Sequence, residues 1–350
     1  MKINQKNYAK IEEKIHISQS KFKLSNKKFR SPDRLDIEIV KEITEIIKIQ
    51  KKIKNFGGEW EYLNNVKKSD FIKSLKNVEI DKLYFKFANL FKTDASYGLV
   101  TPYWKDIKKD VLYKSQVLRD IDSAVEFSGL KNLNEISTKE RIGNPHGLLI
   151  GKKVVLPDTP RHYYFCKKIK KFLENKKKVS FLEIGGGYGG LINLLSVNNK
   201  IDTIYSIDLF EGCLIQYYFL KKNGQKVNFI FNLKDFKKGS INLIPFNLSS
   251  NVINGIPKCD LVFNSRSFSE MSKKILNSYL NLINKKIKPE FVYHENSNYL
   301  LFPNSERHIE VIGNDFYLLN KFYELKYLNI SPFSGGLGRY REFVYKKYKL

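Results

Sequence analysis

Short apolar runs alternate with amphipathic stretches through the second half of the chain. The apolar runs predict strands at Val179 to Ile184, Thr203 to Ile207, Asp260 to Phe263 and Phe291 to His294. The amphipathic stretches predict helices at Arg161 to Leu173, Leu191 to Val197, Glu211 to Lys222 and Ser269 to Ile287. This alternation is typical of a parallel sheet whose crossover connections are helices. We therefore predict an α/β fold with a doubly wound, Rossmann-like sheet.

Four more apolar segments are candidate strands. Val227 to Asn232 and Ile241 to Asn247 both qualify as its third strand, and the pattern does not choose between them. Tyr327 to Ile330 and Arg339 to Tyr345 flank a glycine-rich stretch and predict a C-terminal β-hairpin.

The first 150 residues follow a helical period instead. Apolar residues recur at spacings of three and four from Ile37 to Ile53, and two further helices are predicted at Asn77 to Phe91 and Trp104 to Phe127. Turn-forming residues then cluster between Gly143 and Gly147. We predict a mostly helical N-terminal region at 1–150, serving as a cap or an acceptor-binding region, and a second domain at 151–350.

Composition narrows the class of protein. The chain has 350 residues, 42% of them hydrophobic, and only three cysteines, which excludes a disordered chain and a disulfide scaffold. No apolar run is long enough to span a bilayer, so we expect a soluble, cytoplasmic protein. The net charge of +26 favours nucleic acid as a partner, but only nine of the 62 basic residues are Arg and no block of five or six like charges occurs. We therefore expect no specific nucleic-acid partner.

A glycine-rich loop follows the first predicted strand of the sheet. The run from Glu183 to Gly190 reads Glu-Ile-Gly-Gly-Gly-Tyr-Gly-Gly. Glycines permit a tight turn, a close approach of the backbone to a ligand, and a helix start whose amides face that ligand. Because ligands of doubly wound sheets bind at the carboxyl ends of the strands, this loop is the first candidate site.

Two cofactor templates fit the loop. Gly185, Gly187 and Gly190 match the dinucleotide fingerprint, with an acidic residue, Asp208, at the expected separation. With Glu183 before it, the loop also resembles the first motif of the class I S-adenosylmethionine-dependent methyltransferases. A carboxylate at Glu183 would repel a pyrophosphate, which favours the methyl donor. The predicted cofactor is S-adenosyl-L-methionine, and its predicted contacts are Glu183, Gly185, Gly187, Gly189, Asp208, Leu209 and Asn264.

From Ile142 to Val344 the sequence resembles a narrower family, the sugar O-methyltransferases associated with bacterial surface polysaccharide synthesis. The resemblance includes Arg141-Ile142-Gly143-Asn144-Pro145, the glycine loop, Asp208 and the run Asn264-Ser-Arg-Ser-Phe-Ser-Glu-Met271 after the fourth strand. It implies methyl transfer from S-adenosylmethionine to a hydroxyl of a saccharide, linked to a nucleotide or to a lipid. The first 130 residues add almost nothing to it.

Methylation of a neutral hydroxyl requires a base, and histidine titrates in the right range. His294 is predicted at the end of the fifth strand, on the edge where the cofactor should lie. We predict His294 as the general base, with Glu295 as its orienting partner or as the base itself.

Polar side chains near the strand ends are candidates for binding the acceptor. They are Ser267, Glu270, Asn296, Arg161 and His162. Ser267 and Glu270 also match a helix N-terminal capping box, so a structural role stays open for both. The sequence has no dense cluster of metal ligands, and we predict no metal site.

Two alternatives to a sugar methyltransferase remain. One is a methyltransferase for another small acceptor, and the other is a basic, non-catalytic module that binds nucleic acid. The set of Glu183, Gly187 and Asp208 argues for a bound cofactor and against the second alternative.

Overall fold

A computed structural model describes residues 22–50, 59–100, 103–107, 109–197, 201–246, 250–297, 313–334 and 339–348. Within these ranges the chain forms a large sheet, a small sheet and helices on both faces of the large one. The part of the first predicted helix from 51 to Ile53 lies outside the described residues.

The large sheet has eight strands in the order β10-β11-β9-β8-β4-β5-β7-β6. Its strands are β4 (Val179–Ile184), β5 (Ile201–Asp208), β6 (Val227–Phe229), β7 (Ile241–Pro245), β8 (Leu261–Ser265), β9 (Phe291–Ser297), β10 (Tyr323–Ile330) and β11 (Tyr340–Lys347). Six neighbouring strands are parallel, in the order β9-β8-β4-β5-β7-β6 across the sheet. Strands β10 and β11 form an antiparallel hairpin beside β9. The predicted doubly wound sheet and terminal hairpin are confirmed.

The structure also resolves the ambiguity over the third strand. The strand next to β5 is β7, with Ile204 aligned to Ile241, and β6 is an additional edge strand beyond it. Both candidate segments are therefore strands of the same sheet.

The helices occupy the connections and the N-terminal region. They are α1 (Arg34–Ile49), α2 (Glu59–Tyr62), α3 (Ser69–Lys76), α4 (Ile80–Ala88), α5 (Asp110–Ser128), α6 (Thr159–Phe172), α7 (Gly190–Ser196), α8 (Phe210–Lys222), α9 (Ser250–Asn254) and α10 (Lys273–Leu282). Short 3-10 turns occur at Trp104–Asp106 and Ser267–Glu270, and π-helical turns at Leu63–Lys67 and Ile283–Ile287. Two of the predicted helices, at Trp104 to Phe127 and at Ser269 to Ile287, are thus interrupted.

Alternating side chains of the parallel strands supply two hydrophobic clusters. In β4, Phe181 belongs to the cluster on one face, while Leu182 and Ile184 belong to the cluster on the other. The first cluster continues into the N-terminal helices, where it includes Val40 and Phe87. The N-terminal region therefore packs on the sheet domain through a shared core.

A small sheet joins the two predicted regions. It contains β1 (Ser137–Lys139), β2 (Leu148–Ile150) and β3 (Lys153–Val155) in the order β1-β3-β2. The antiparallel pair of β2 and β3 straddles the boundary that we predict at residue 150. The division into two units stays a prediction.

Candidate functional site

A pocket lies at the carboxyl ends of β4, β5 and β8, where a doubly wound sheet binds its ligands. Its lining combines the glycine loop, the strand ends and part of the N-terminal region. The residues are Trp60, Glu61, Asn64, Gly98, Leu99, Arg161, His162, Glu183, Gly185, Gly186, Gly187, Tyr188, Ile207, Asp208, Leu209, Phe246, Phe263, Ser265, Arg266, Ser267, Glu270, Met271, Ile275, Tyr279 and Tyr340. Nine of the twelve residues predicted to bind the cofactor or the acceptor are therefore brought together here.

The glycine loop needs its glycines for two different reasons. At Gly185, a β-carbon would lie 2.1 Å from the Ser267 hydroxyl oxygen, so the loop and the segment after β8 pack too closely for a side chain. At Gly187, φ is +59° and a β-carbon would meet no atom within 4 Å. Gly187 therefore leaves open space beside the pocket, as a cofactor cradle requires.

Glu183 is buried at the end of β4 and lines the pocket. Its Oε2 atom has no hydrogen-bond partner. Burial, together with the nearby charge of Asp208, raises the pKa of Glu183 to about 8. A buried, unpaired carboxylate is costly, and a cationic ligand group placed against it removes that cost.

Asp208 lies at the end of β5 and accepts hydrogen bonds on both oxygens. Its Oδ2 accepts from the Gly187 amide at 3.1 Å and from Gln216 at 2.8 Å, and its Oδ1 accepts from the Leu209 amide at 2.7 Å. Burial is the main reason that the pKa of Asp208 is raised to about 7. The carboxylate is thus fixed beside the glycine loop, and Oδ1, which accepts one hydrogen bond, keeps acceptor capacity for a ligand hydroxyl.

Asn264, near the end of β8, supports the glycine loop and does not line the pocket. Asn264 is 1% exposed and does not line the pocket; its amide donates to the Ile184 carbonyl at 2.7 Å and to Ser267. Asn296, on β9, is also fully buried and donates to Asn264 at 2.8 Å. The predicted cofactor contact of Asn264 and acceptor contact of Asn296 are corrected, because neither side chain reaches the pocket.

Gly189 does not line the pocket, and its cofactor contact stays a prediction. It forms the N-terminal cap of α7 with φ of +87°, and its missing β-carbon would point at Leu220 rather than into the pocket. The capping-box alternative for Ser267 is wrong, since the cap of α10 is Ser272. Ser267 and Glu270 both line the pocket.

His294 does not lie where a base must act. It is fully buried between the rings of Phe316, 4.1 Å away, and Phe343, 4.6 Å away, and it does not line the pocket. Burial lowers the pKa of His294 to about 3. The prediction of His294 as the general base is wrong. Strand β9 continues to Ser297, so His294 lies inside the sheet and not at its edge.

Glu295 is also buried away from the pocket. Its Oε2 lies 3.3 Å from Arg161 and 3.5 Å from Arg266, and accepts from Ser265 at 2.8 Å. Burial alone would raise the pKa of Glu295, but the two guanidinium groups and the hydroxyl donors hold it below its usual value. The prediction of Glu295 as base or as partner of His294 is corrected; it anchors the two arginines instead.

Arg161 and His162 begin α6 and face the pocket. Arg161 pairs with Asp158 at 3.2 Å in addition to Glu295, so its charge is already balanced. The Nδ1 atom of His162 lies 3.4 Å from the Tyr188 hydroxyl. Burial and the neighbouring Arg161 and Arg266 hold the pKa of His162 well below 6.5, so its imidazole is neutral at pH 7. A neutral imidazole in a pocket is able to accept a proton.

Sequence reasoning missed the N-terminal wall of the pocket and Arg266. Arg266 lies inside the resembling run after β8, adopts φ of +68°, and has its guanidinium 4.3 Å from the centre of the Tyr340 ring. Such a backbone conformation is uncommon for a residue other than glycine and concentrates at functional sites. For Trp60 and Asn64 the sequence carries no signal, because they reach the pocket only through tertiary contacts.

Two features are absent from the described residues. No group of three or more His, Cys, Asp or Glu side chains is placed there to hold a metal ion. No helix in the same ranges is long and apolar enough to cross a membrane.

Comparison with known proteins finds similar structures but no similar sequences. No family model matches the chain, and no curated protein matches it. The methyltransferase domain of bacterial CtHen1-C is 12% identical, with a TM-score of 0.38 over 53% of this chain and 97% of that one. N-methyltransferase NodS from Bradyrhizobium japonicum WM9, in complex with S-adenosyl-L-homocysteine, is 11% identical, with a TM-score of 0.37 over 54% and 86%. These identities and TM-scores are too low to assign a function.

Proposed function

We propose that the protein is a methyltransferase that uses S-adenosyl-L-methionine to methylate a hydroxyl of a saccharide. The observation that carries this proposal is the unpaired Oε2 of Glu183 beside the open space at Gly187. The carboxylate suits the methionyl ammonium of the cofactor, and Asp208 suits its ribose hydroxyls. When bound, the cofactor supplies an electrophilic methyl group.

The charges of the pocket support this cofactor over a dinucleotide. Glu183 and Asp208 flank the glycine loop, where a pyrophosphate would have to bind, and in their ionised forms they would repel it. Of the arginines that line the pocket, Arg161 is paired with Asp158 and Glu295, and Arg266 lies beside Glu295. Neither arginine is left to neutralise a pyrophosphate.

For the acceptor, the pocket offers a proton acceptor and hydrogen-bonding groups. We propose His162 as the general base, which takes the hydroxyl proton as the oxygen attacks the methyl carbon. The resemblance to sugar O-methyltransferases supports a saccharide acceptor, linked to a nucleotide or a lipid. Ser267, Glu270 and the ring of Tyr340 supply the polar and aromatic contacts that sugar recognition uses.

Replacing Gly187 by Val tests the cofactor site. The valine side chain would fill the space that the proposal gives to the cofactor, so we expect S-adenosylhomocysteine binding, measured by calorimetry, to fall below detection. Gly151→Val is the matched control, because Gly151 has the same φ of +59° and the same empty surroundings but does not line the pocket. Equal affinity of both variants would contradict the assignment of the site.

A further inference from the structure

The N-terminal region forms one wall of the pocket. Trp60 and Asn64, from α2 and the π-helical turn that follows it, line the pocket opposite the sheet. The Trp60 indole donates to Glu270 Oε2 at 2.9 Å and so ties this wall to the segment after β8. π-Helical turns occur frequently at functional sites.

Asn64 has an unused acceptor in this wall. The side chain is 6% exposed, and its Nδ2 donates to Glu211 Oε1 at 2.5 Å. Because a carboxylate accepts hydrogen bonds, this contact fixes the orientation of the amide and leaves Oδ1 as a pure acceptor. That Oδ1 atom is buried and has no partner. A buried acceptor without a donor is unfavourable, so the arrangement suits a ligand that brings one.

The position of Glu211 indicates which group of the ligand donates a hydrogen bond to Asn64 Oδ1. Glu211 lies in the first turn of α8, three residues after Asp208, on the side of the pocket that the proposed function gives to the ribose. The ammonium group of the cofactor belongs at Glu183 instead. A ribose hydroxyl is therefore the donor best placed for Asn64.

We propose that Asn64 Oδ1 accepts a hydrogen bond from a ribose hydroxyl of the cofactor, so that the N-terminal region completes the cofactor site. This inference rests on the proposed function. It gives the helical region a direct part in binding, beyond covering the sheet domain.

Calorimetric titration with S-adenosylhomocysteine tests the inference. We expect Asn64→Ala to weaken binding about threefold to tenfold, as is usual for one lost neutral hydrogen bond. Asn65→Ala is the matched control, since the neighbouring Asn65 is exposed and does not line the pocket, and its affinity should equal that of the wild type. Thermal denaturation checks that both variants are folded.

The 2′-deoxy and 3′-deoxy analogues of S-adenosylhomocysteine identify the hydrogen bond itself. With one of them the loss caused by Asn64→Ala should disappear, because the donor is already missing from the ligand. An Asn64→Ala variant with wild-type affinity, or with the same loss for all three ligands, would overturn the role of Asn64. Failure of the wild type to bind any of them would instead contradict the proposed function as well.

Discussion

Replacing His162 by Ala is expected to lower kcat by about a hundredfold to ten-thousandfold, the usual range for a positioned acid or base. His162 lines the pocket, and its imidazole is neutral at pH 7 because burial and two arginines depress its pKa. With S-adenosylmethionine held at saturating concentration, kcat of the wild-type enzyme should therefore stay level as the pH falls to 6.5 and decline only below that value. Methyl transfer from labelled S-adenosylmethionine to a saccharide acceptor measures both effects.

The control for this prediction is His294→Phe. The phenyl ring keeps the stacking with Phe316 and Phe343, and position 294 does not line the pocket, so kcat should change little. S-adenosylhomocysteine affinity should be nearly unchanged in both variants, which separates catalysis from cofactor binding. Full activity of His162→Ala, with strong loss in Glu270→Gln, would move the role of the base to Glu270, a carboxyl group that also lines the pocket.

Replacing Asp36 by Ala is expected to lower the free energy of unfolding by about 3 to 5 kcal/mol, as is typical when one member of a buried ionic cluster is removed. Asp36, on α1, is fully buried and accepts from Arg30 at 2.6 Å, Lys222 at 2.6 Å and the Tyr218 hydroxyl at 2.7 Å. The variant leaves Lys222, which is buried on α8, without this carboxylate partner. Urea unfolding followed by circular dichroism measures the loss.

The pH dependence of stability follows from the same cluster. Burial alone would raise the pKa of Asp36, but its hydrogen bonds from Arg30, Lys222 and Tyr218 hold it below the ordinary value. The stabilisation is therefore present above the unfolded pKa of about 4 and is lost as the pH falls through the lower folded pKa. Glu38→Ala is the control, since Glu38 pairs with Arg34 in solvent and its removal should change stability little. An equal effect of both substitutions would show that the buried cluster does not hold α1 to α8.

The parallel strands could be predicted because each carries its own local pattern. Val179 to Ile184 is predicted with the bounds that the structure gives to β4. The prediction that His294 ends the fifth strand was wrong because β9 is longer than its apolar run. It pairs with β11 for three more residues. Those residues, Glu295, Asn296 and Ser297, are polar, so their burial depends on tertiary partners that a local pattern does not contain.

The N-terminal wall of the pocket could not be predicted from the sequence either, because it forms through contacts between distant parts of the chain. Trp60 lies 210 residues from Glu270 in the sequence, and Asn64 lies 147 residues from Glu211, yet each pair is hydrogen bonded. The motif at Asn144 was predicted as a turn, and its side chain bonds to Asn89 at 2.7 Å and Lys92 at 2.6 Å inside the N-terminal region. Contacts of this kind depend on the packed fold.

Calorimetric titration of the purified protein with S-adenosylhomocysteine between pH 6 and pH 8 tests the central claim most directly. The proposed site predicts one ligand per chain and an affinity that rises by about tenfold or more over this range, because Glu183 must lose its proton to hold the ligand's ammonium group. The pKa of about 8 for Glu183 and of about 7 for Asp208 sets this range. Glu183→Gln should weaken binding and remove most of the pH dependence. No binding of S-adenosylhomocysteine at any of these pH values, or tighter binding of a nicotinamide dinucleotide, would contradict the claim.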